Sequence, residues 1–360
     1  MIRDIDFLVI GAGPAGLSAA RAAVEQGIQT VVVDDAIEPG GQLVKQTHKF
    51  FGSEMEYAGV RGIAIPEIFL SKLRDSNLFE LHMETPAIGI YDDNVVTVLK
   101  DREKVVKYRP KAVLVATGAR EKMIPFPGND LPGVYGAGAV QTLMNVYGVK
   151  PGNSVLMVGA GNIGLIVSYQ LMQAGVNVAA VIEGMDHVGG FWVHSAKIKR
   201  LGIPVLTRHT ILEAWGEKGV EGARICAIDD NWNKIEGSEQ ELAVDTICLA
   251  VGLSPLSDFF YQTGCEMKWD RELSGDVPVR DKYLETTRKG IFVAGDAGGI
   301  EEASSAMIEG FMAGLSAARH CGADIPEFDQ TIDLYRAELD SLRSGEVGEH
   351  IRKGLAGVTR

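Results

Sequence analysis

Cysteine and positive charge are both scarce in this sequence. Only four of its 360 residues are cysteines, and their spacing offers neither a C-x-x-C pair nor a metal-ligand pattern. Acidic residues outnumber basic residues 48 to 35, which gives a formal net charge of −13. Surfaces that bind nucleic acid or anionic membranes are basic, so this balance argues against both and favours small molecules or proteins as partners. The cysteines are Cys226, Cys248, Cys265 and Cys321.

Long apolar runs are missing as well. No uninterrupted stretch approaches the roughly 18 apolar residues that a membrane helix needs. A strand-like run begins within the first few residues, so we expect no signal peptide. Together with the unpaired thiols, this predicts a cytoplasmic protein without a membrane span or a metal. The 360 residues exceed the usual single-core limit of about 250–300, so two domains are expected.

A glycine-rich turn near the N-terminus joins an apolar run to a helical pattern. Ile5–Ile10 predicts a strand, Gly11-Ala12-Gly13-Pro14-Ala15-Gly16 is the turn, and Leu17–Ala23 predicts a helix. In such a unit the first glycine makes the tight turn, the second lets a pyrophosphate approach, and the third packs the helix on the strand. The next strand ends at Asp34-Asp35, where an acid binds a ribose hydroxyl. The pattern predicts a dinucleotide site, with an ordinary tight turn as the alternative.

The same unit occurs a second time. Ser154–Val158 predicts a strand, Gly159-Ala160-Gly161-Asn162-Ile163-Gly164 repeats the turn, and a helical pattern continues to Ala174. The next strand ends at Glu183, in the position that Asp34 has in the first copy. The repeat predicts two nucleotide-binding domains, one for each ligand.

Glu183 also bears on which nucleotide the second copy binds. A carboxylate there accepts hydrogen bonds from a free ribose diol and repels a 2′-phosphate, whereas NADP readers place an arginine nearby. Gly184–His187 contains no arginine. NAD(H) is therefore favoured over NADP(H), unless Lys197, Lys199 or Arg200 folds back towards the site.

Other strand ends and turns are further candidates. Ligands bind outside the carboxyl ends of strands in open α/β sheets, which draws attention to Thr117-Gly118, Gly252 and Gly295-Asp296. Asp296 either accepts a hydrogen bond from a ribityl hydroxyl or caps a helix. Pro39–Leu43 is either a second close backbone approach to the nucleotide or a plain loop. The polar cluster Lys45–Lys49 either lines a flavin or forms a solvated loop.

The remaining patterns predict ordinary elements. Pro125–Gly133 is rich in proline and glycine and predicts a linker, and an apolar stripe at helical spacing in 328–358 predicts an amphipathic helix that packs within the chain or against another subunit. We expect a helix over Pro66–Leu73, a strand over Phe79–Ile90 with Pro86 at an edge or end, hairpin strands over Val95–Leu99 and Val105–Tyr108, and a separate strand over Ala112–Gly118.

As an ordered set, these motifs resemble the pyridine nucleotide-disulfide oxidoreductase superfamily, with the spacing of the thioredoxin reductase type. The resemblance covers about residues 4–322 and rests on both glycine turns, Asp34, Gly40–Leu43, Ala116–Gly118 and Gly290–Asp296. It implies an α/β protein of two Rossmann-like, three-layer dinucleotide-binding domains. The NAD(P) domain (123–284) would be inserted in a discontinuous FAD domain (1–122 and 285–325) and followed by a helical tail (326–360).

One departure from that family decides the chemistry. Thioredoxin reductases carry a redox C-x-x-C after a Gly-Val turn, and the corresponding Gly133–Val140 has no cysteine. Disulfide reduction of that type is therefore excluded. A narrower resemblance, in Gly190–Lys197, Gly202–Thr207 and Gly299–Ser304, points to the α-type flavoprotein subunits of octopine and nopaline oxidases, hydrogen cyanide synthase and heteromeric sarcosine oxidase. Many of those subunits carry cysteine-rich iron–sulfur segments, which this chain lacks.

The resemblance implies FAD and NAD(H) as cofactors and a role for each motif. Ser304 and Ser305 would meet the pyrimidine edge of the flavin through their N–H groups, and no side chain is assigned as a general acid or base. The residues expected to bind cofactors are Gly11, Gly13, Pro14, Ala15, Gly16, Asp34, Asp35, Gly41, Gln42, Thr47, Pro86, Ala87, Thr117, Gly118, Gly159, Gly161, Asn162, Ile163, Gly164, Glu183, Gly252, Gly295, Asp296, Ala303, Ser304 and Ser305.

Three functions remain open on this evidence. The first is an oxidoreductase that passes a hydride between NAD(H) and FAD as a subunit of an amine or amino-acid (opine- or sarcosine-type) dehydrogenase or oxidase, with a second flavoprotein as partner. The second is a stand-alone NAD(P)H-dependent reductase of a small acceptor. The third is a non-catalytic nucleotide-binding scaffold. A homo- or hetero-oligomer is expected, with the amphipathic tail as a candidate subunit contact.

Overall fold

The chain forms two compact units. The computed structural model describes residues 2–50 and 52–360. The first unit consists of Met1–Arg120 and Ser254–Arg360, and the second of Glu121–Leu253. The chain therefore returns to the first unit at Ser254, earlier than the expected 285, and the tail from 326 onwards is part of that unit rather than a separate element.

The early return has a packing reason. Phe260 and Cys265 carry no motif, yet both lie in the hydrophobic core of the first unit beside Ile291 and Val293. Burial of such side chains depends on tertiary packing, so the sequence pattern alone gives no signal for this boundary.

Strands and helices alternate along most of the described chain. The strands are β1 (Ile2–Ile10), β2 (Thr30–Val33), β3 (Phe79–His82), β4 (Ala87–Ile90), β5 (Val96–Lys100), β6 (Lys104–Val115), β7 (Ala119–Glu121), β8 (Val134–Gly136), β9 (Ser154–Val158), β10 (Asn177–Glu183), β11 (Val205–Thr207), β12 (His209–Trp215), β13 (Gly222–Ala227), β14 (Gln240–Leu242), β15 (Thr246–Leu249), β16 (Leu253–Pro255), β17 (Met267–Asp270), β18 (Gly275–Pro278) and β19 (Ile291–Val293). The helices are α1 (Pro14–Glu25), α2 (Ile65–Leu73), α3 (Ala137–Asn145), α4 (Asn162–Gln173), α5 (Trp192–Arg200), α6 (Asp258–Gln262), α7 (Ala303–His320), α8 (Phe328–Leu342) and α9 (Gly345–Val358), with 3₁₀ turns at Gly41–Lys45, Gly62–Ala64 and Gly295–Gly298.

The main sheet of the first unit brings the predicted motifs to one edge. Its strand order is β3-β2-β1-β6-β5-β4, and β19 also pairs with β6. Strands β1, β2, β3, β6 and β19 pair in parallel. Carboxyl ends of parallel strands share one edge of a sheet. The first glycine turn, Asp34, Thr117-Gly118 and Gly295-Asp296 all follow such ends.

Strand β6 corrects one sequence-based expectation. Val105–Tyr108 and Ala112–Gly118 are not two strands, because β6 runs unbroken from Lys104 to Val115 through Pro110. Strand β5 pairs with β6 only as far as Tyr108, and β19 pairs from Val113 onwards. Pro110 lies between these two partners and pairs with Ile5 of β1 on the other side.

Helices α1 and α7 pack closely against each other in the first unit. A Cβ at Gly310 would lie 2.2 Å from the Ala15 carbonyl oxygen, and one at Gly314 would lie 2.3 Å from the Ala19 carbonyl oxygen. Only glycine allows this approach. It places the start of α7 and the loop before it next to the first glycine turn.

The second unit repeats the parallel arrangement. Its five-stranded sheet has the order β11-β10-β9-β15-β8, and β12, β13 and β14 form a separate antiparallel sheet. Helix α4 follows β9 directly, as α1 follows β1. The expected α/β class with two Rossmann-like units is confirmed.

The tail forms two helices rather than one. Helix α8 buries Ile332 and Leu339 in the core of the first unit, so the predicted apolar stripe packs within the chain. Helix α9 begins after Ser344 and buries Val358 against Leu273 and Val277. Among the described residues no helix combines the length and apolarity that crossing a membrane requires.

Candidate functional site

The first glycine turn has a different constraint at each of its three glycines. Gly11 has φ +112°, and a Cβ there would lie 2.2 Å from the Ala116 carbonyl oxygen. A Cβ at Gly16 would lie 1.8 Å from the Gly11 carbonyl oxygen. A Cβ at Gly13 would lie 4.0 Å from the Gly41 Cα, an ordinary contact distance. Packing explains the first and third glycines, whereas the space at the second has room for a Cβ or for the close approach of a ligand.

The second turn has the same three constraints. Gly159 has φ +108°, and its Cβ would lie 2.3 Å from the Ala250 carbonyl oxygen; a Cβ at Gly164 would lie 2.1 Å from the Gly159 carbonyl oxygen. Apart from its chain neighbours, no atom in the described part of the chain lies within 4 Å of a Cβ built at Gly161. Helices α1 and α4 begin directly after Gly13 and Gly161, so their N-terminal N–H groups and positive dipole ends face these spaces. Each turn can therefore hold a pyrophosphate.

The two predicted acids make equivalent hydrogen bonds. Asp34 Oδ2 accepts from the Ala12 N–H (2.6 Å), and Oδ1 accepts from the Ala36 N–H (2.8 Å). Glu183 Oε2 accepts from the Ala160 N–H (2.8 Å), and Oε1 accepts from the Met185 N–H (3.0 Å). Burial raises the pKa of Asp34, while the two N–H groups act to lower it. Each carboxylate is held beside its glycine turn and keeps lone pairs for a ribose diol.

A second pair of glycines extends the repeat further than the sequence indicated. The Gly40 N–H donates to the Ala12 carbonyl oxygen (2.8 Å), and the Gly190 N–H donates to the Ala160 carbonyl oxygen (3.0 Å). A Cβ at Gly41 would lie 2.9 Å from the Gly13 Cα. The expected close approach of this segment is therefore to the glycine turn itself. The signal that could have revealed the Gly190 contact is a Gly-Gly pair soon after each acid.

The Gly295–Asp296 element lies beside the first turn. A Cβ at Gly295 (φ +70°) would meet the Ala15 Cβ at 3.1 Å. Asp296 is half-buried, and its Oδ1 accepts from the Glu301 N–H (3.2 Å). Desolvation raises the pKa of Asp296 to about 7. A partly desolvated carboxylate here suits a hydroxyl donor on a ligand. The next helix, α7, begins with Ala303, Ser304 and Ser305.

A buried ionic network that the sequence did not reveal supports this element. Arg343 Nη2 donates to Glu301 Oε1 (2.7 Å) and to Glu309 Oε1 (2.7 Å). Glu309 Oε2 accepts from the Gly295 N–H (2.9 Å), and Arg280 Nη1 donates to the Gly298 carbonyl oxygen (2.6 Å). Although burial acts to lower the pKa of Arg343, Glu309 and Glu301 raise it. The tail thereby fixes the loop that carries Asp296.

The other sequence-predicted positions divide between the sheet edge and the surface. Thr117 Oγ1 donates to the Leu256 carbonyl oxygen (2.7 Å). The Thr85 N–H donates to the Asp34 carbonyl oxygen (2.7 Å), which places the following Pro86 and Ala87 near that acid. Gly118 and Gly252 both have positive φ. Thr47 is half-buried, and Asp35, Gln42 and Ile163 are exposed.

The stretch Gly133–Val140 forms β8 and the start of α3. Glu121 Oε1 accepts from the Gly138 N–H (2.6 Å), and Oε2 accepts from the Ala139 N–H (3.3 Å). A Cβ at Gly136 would lie 2.2 Å from Glu121 Oε2. A carboxylate thus occupies the N-terminus of α3.

Comparison with known proteins agrees with this geometry. The sequence profile described as pyridine nucleotide-disulphide oxidoreductase matches residues 5–310. The chain belongs to this family. Proteins of the pyridine nucleotide-disulphide oxidoreductase family are flavoproteins that bind FAD and NAD(P), and these are the cofactors of this chain. The open spaces at Gly13 and Gly161 fit two dinucleotides.

The curated relatives are subunits of larger enzymes. An opine oxidase subunit of Agrobacterium tumefaciens (strain Ach5) is 28% identical over 328 residues, which are 87% of this chain and 65% of that protein. The alpha subunit of sarcosine oxidase from Corynebacterium sp. (strain P-1) is 26% identical, over 89% of this chain and 34% of that protein. The HcnB subunit of hydrogen cyanide synthase from Pseudomonas protegens is 25% identical, over 87% and 70%. The chain thus spans less than two thirds of the first two relatives.

Solved structures share the fold. L-proline dehydrogenase from P. horikoshii superposes with a TM-score of 0.71 at 24% identity, covering 95% of this chain and 60% of that chain. Thioredoxin reductase from T. acidophilum superposes with a TM-score of 0.69 at 24% identity, covering 88% and 98%. The thioredoxin reductase-like arrangement expected from the sequence is confirmed.

Proposed function

We propose that this family member passes a hydride between NAD(H), bound by the second unit, and FAD, bound by the first. The observation that carries the proposal is the equivalence of the two glycine turns, each with an open second glycine and an acid fixed beside it. Two such sites in one chain suit two dinucleotides. The first of these sites lies beside the loop that carries the half-buried Asp296, which suits a ribityl chain.

The residues of the chain bind and orient, while the cofactors carry the redox chemistry. The flavin supplies hydride and electron transfer when bound. In the first unit, the N–H groups at the start of α1 would hold the FAD pyrophosphate, Asp34 a ribose, and Asp296 the ribityl hydroxyls. The N–H groups of Ser304 and Ser305 at the start of α7 would meet the pyrimidine edge. The N-terminus of α4 and Glu183 would hold the NAD(H).

The same proposal excludes a dithiol mechanism. The stretch Gly133–Val140, which corresponds to the segment that carries the C-x-x-C pair in thioredoxin reductases, contains no cysteine. Cys248, in the neighbouring strand β15, is fully buried, and burial raises its pKa strongly. A buried thiol of raised pKa forms little thiolate, so it is a poor nucleophile for disulfide exchange.

We further infer that the chain works with a partner that oxidises an amine or amino acid. The support is the set of relatives named as opine oxidase, sarcosine oxidase and hydrogen cyanide synthase subunits. A small-molecule redox substrate, a cytoplasmic location and a hetero-oligomer belong to this proposal. The alternative, a stand-alone NAD(P)H-dependent reductase of a small acceptor, is favoured by the match to nearly the whole length of a thioredoxin reductase. Purification from the native host separates the two, since a tightly bound second flavoprotein would be absent from a stand-alone enzyme.

Anaerobic titration with NADH tests the hydride transfer itself. Oxidised flavin absorbs near 450 nm, and we expect this band to bleach as NADH is added. An unchanged spectrum at saturating NADH would show that the chain is a non-catalytic scaffold. Bleaching by NADPH at equal or lower concentration would contradict the assignment of Glu183 as a reader of the free diol.

A further inference from the structure

Arg208 is the basic residue that contacts the loop after Glu183. Strands β10 and β11 pair in parallel with Glu183 opposite Thr207, so Arg208 leaves the sheet at the same edge as Glu183. The Arg208 N–H donates to the Met185 carbonyl oxygen (2.9 Å). Lys197, one of the basic residues expected to fold back, instead lies over the Tyr169 ring.

Two carboxylates hold the Arg208 guanidinium. Asp230 forms an ion pair with Nη1, and Asp186 Oδ2 lies 3.6 Å from Nη2. Asp186 also pairs with His187, whose Nδ1 lies 2.6 Å from Oδ1. The hydrogen bond to Asp230 is the largest influence that raises the pKa of Arg208. The two aspartates and the arginine carry a formal net charge of −1.

The turn that carries Asp230 is anchored next to Glu183. The Trp232 ring lies against Gly184, because a Cβ at Gly184 would meet its Cη2 and Cζ3 atoms at 2.6 Å. Asp229 shapes the turn, with its Oδ1 accepting from the Asn231 (2.9 Å) and Asn233 (2.8 Å) N–H groups. Arg208 (φ +54°) and Trp232 (φ +65°) both adopt the left-handed conformation that non-glycine residues rarely take. The Trp232 contact places this turn against the residue that follows Glu183.

We propose that Asp186 and Asp230 act as a specificity lock that keeps Arg208 from binding a coenzyme 2′-phosphate. The inference rests on the proposed function, in which the second unit binds NAD(H) through Glu183. NADP readers use an arginine near this ribose, and Arg208 directly follows the residue that pairs with Glu183. Its donors are directed to two carboxylates, and the negative net charge repels a phosphate dianion. The lock and Glu183 therefore select the free diol independently.

Equilibrium binding of oxidised coenzymes tests the lock without any turnover. NAD⁺ and NADP⁺ are titrated by calorimetry into the FAD-loaded wild type, the Asp186→Asn/Asp230→Asn variant, and the same variant with Arg208→Gln. Removing two negative charges near the phosphate should tighten NADP⁺ binding about tenfold. The Kd of NAD⁺, which has no 2′-phosphate, should change less than about threefold. Adding Arg208→Gln should erase the gain, because the freed guanidinium is its source.

Each outcome has one meaning. An unchanged Kd of NADP⁺ in the double variant, with NAD⁺ still bound, would overturn the lock and leave the proposed function intact. Absence of NAD⁺ binding by the wild type would instead overturn the proposed function. If the double variant also lost NAD⁺ affinity, Asp230→Asn alone decides, since Asp230 is more exposed than Asp186. The lock then requires at least about threefold tighter NADP⁺ binding, and a smaller gain would refute it.

Discussion

At the scale of single residues, the second glycine of each turn separates ligand binding from folding. Gly13 (φ −78°) and Gly161 (φ −72°) have backbone angles that alanine adopts easily. The space around both would accept a Cβ, in contrast to the clashes at Gly11 and Gly159. Folding therefore does not require the second glycine, and the proposed role of this residue is to let the pyrophosphate approach.

We predict that alanine at Gly161 weakens the binding of NAD⁺ alone and that alanine at Gly13 weakens the binding of FAD alone. Gly161→Ala should raise the Kd of NAD⁺ at least about tenfold, because a methyl group obstructs the approach of the pyrophosphate, and FAD content should stay unchanged. Gly13→Ala should lower FAD content and leave the Kd of NAD⁺ within about twofold. Flavin absorbance and calorimetry measure the two quantities, and each variant is the control for the other. Loss of FAD in Gly161→Ala would show that the turns had been assigned to the wrong cofactors.

Asp296 predicts a pH dependence of FAD binding. Its folded-state pKa, raised by burial to about 7, exceeds the ordinary aspartate value of 3.8. The stabilisation due to the neutral form is complete below pH 3.8 and is lost as pH rises towards about 7 in the apoprotein. A ribityl hydroxyl that donates to the carboxylate favours the charged form. FAD binding should then release a proton below pH 7, and FAD affinity should rise up to about tenfold per pH unit before it levels off.

Titration of the apoprotein with FAD between about pH 5.5 and 8 measures this dependence. Asp296→Asn is the matched control, because an amide of the same shape does not titrate. The variant should bind FAD more weakly at high pH and show a flat profile. An equal slope in the variant would assign the pH dependence to another group.

The sequence alone identifies the two acids of the candidate sites but not Arg208. Both acids were identifiable because each ends an apolar run about twenty residues after a glycine turn. Arg208 was not, because its place beside Glu183 depends on the pairing of β11 with β10. In the structure, Arg208 directly follows β11, which pairs in parallel with β10. The number of residues between Arg208 and the second glycine turn does not reveal this position.

At the scale of elements, helix α8 contributes a charge to the loop before α7. Arg343 ends α8 and contacts Glu301 and Glu309, which are both buried. Removing one partner of a buried ionic network leaves uncompensated charge and costs about 3–5 kcal/mol. The amphipathic pattern of the tail predicted the helix and its buried stripe, but not this contact, which lies beyond the stripe.

Arg343→Met should therefore destabilise the first unit. A loss of about 3–5 kcal/mol corresponds to a decrease of roughly 10 °C in the melting temperature of a unit of this size. Arg343→Lys keeps the charge without the planar fork and should lose less than half as much. Calorimetric melting of the FAD-free protein measures both variants. Equal melting temperatures for Arg343→Met and the wild type would show that the network contributes nothing net to stability.

Strand β6 continues through Pro110, which the sequence does not predict. A proline usually marks the end of a strand, and the sequence therefore suggested two strands where there is one. The strand continues because β1 pairs with β6 on both sides of Pro110, while β5 and β19 each pair with a different half of the other side of β6. Such a gap between partners depends on the complete sheet, so local propensity does not predict it.

At the scale of the whole molecule, the C-terminal helix belongs to the unit that the FAD motifs define. The Arg280 N–H donates to the Val358 carbonyl oxygen (3.0 Å), and the Arg360 N–H donates to the Arg280 carbonyl oxygen (3.0 Å). The Arg280 side chain in turn binds Gly298, in the loop that carries Asp296. The two glycine repeats predicted the two units, whereas the assignment of the tail depends on these contacts between distant parts of the chain.

Deletion of residues 344–360 should impair one cofactor and spare the other. Without α9, Val358 no longer covers Leu273 and Val277, and Arg280 loses its backbone partners. The Asp296 loop should loosen, so FAD content should fall by at least about half. The Kd of NAD⁺ should stay within about twofold, because the deletion disrupts packing in the first unit and large effects are confined to disrupted packing. Val358→Ala, which keeps the backbone bonds, is the control and should retain more FAD than the deletion. Full FAD retention in the deletion would show that α9 is dispensable for the loop, and an equal loss of NAD⁺ binding would show that the two units do not bind their cofactors independently.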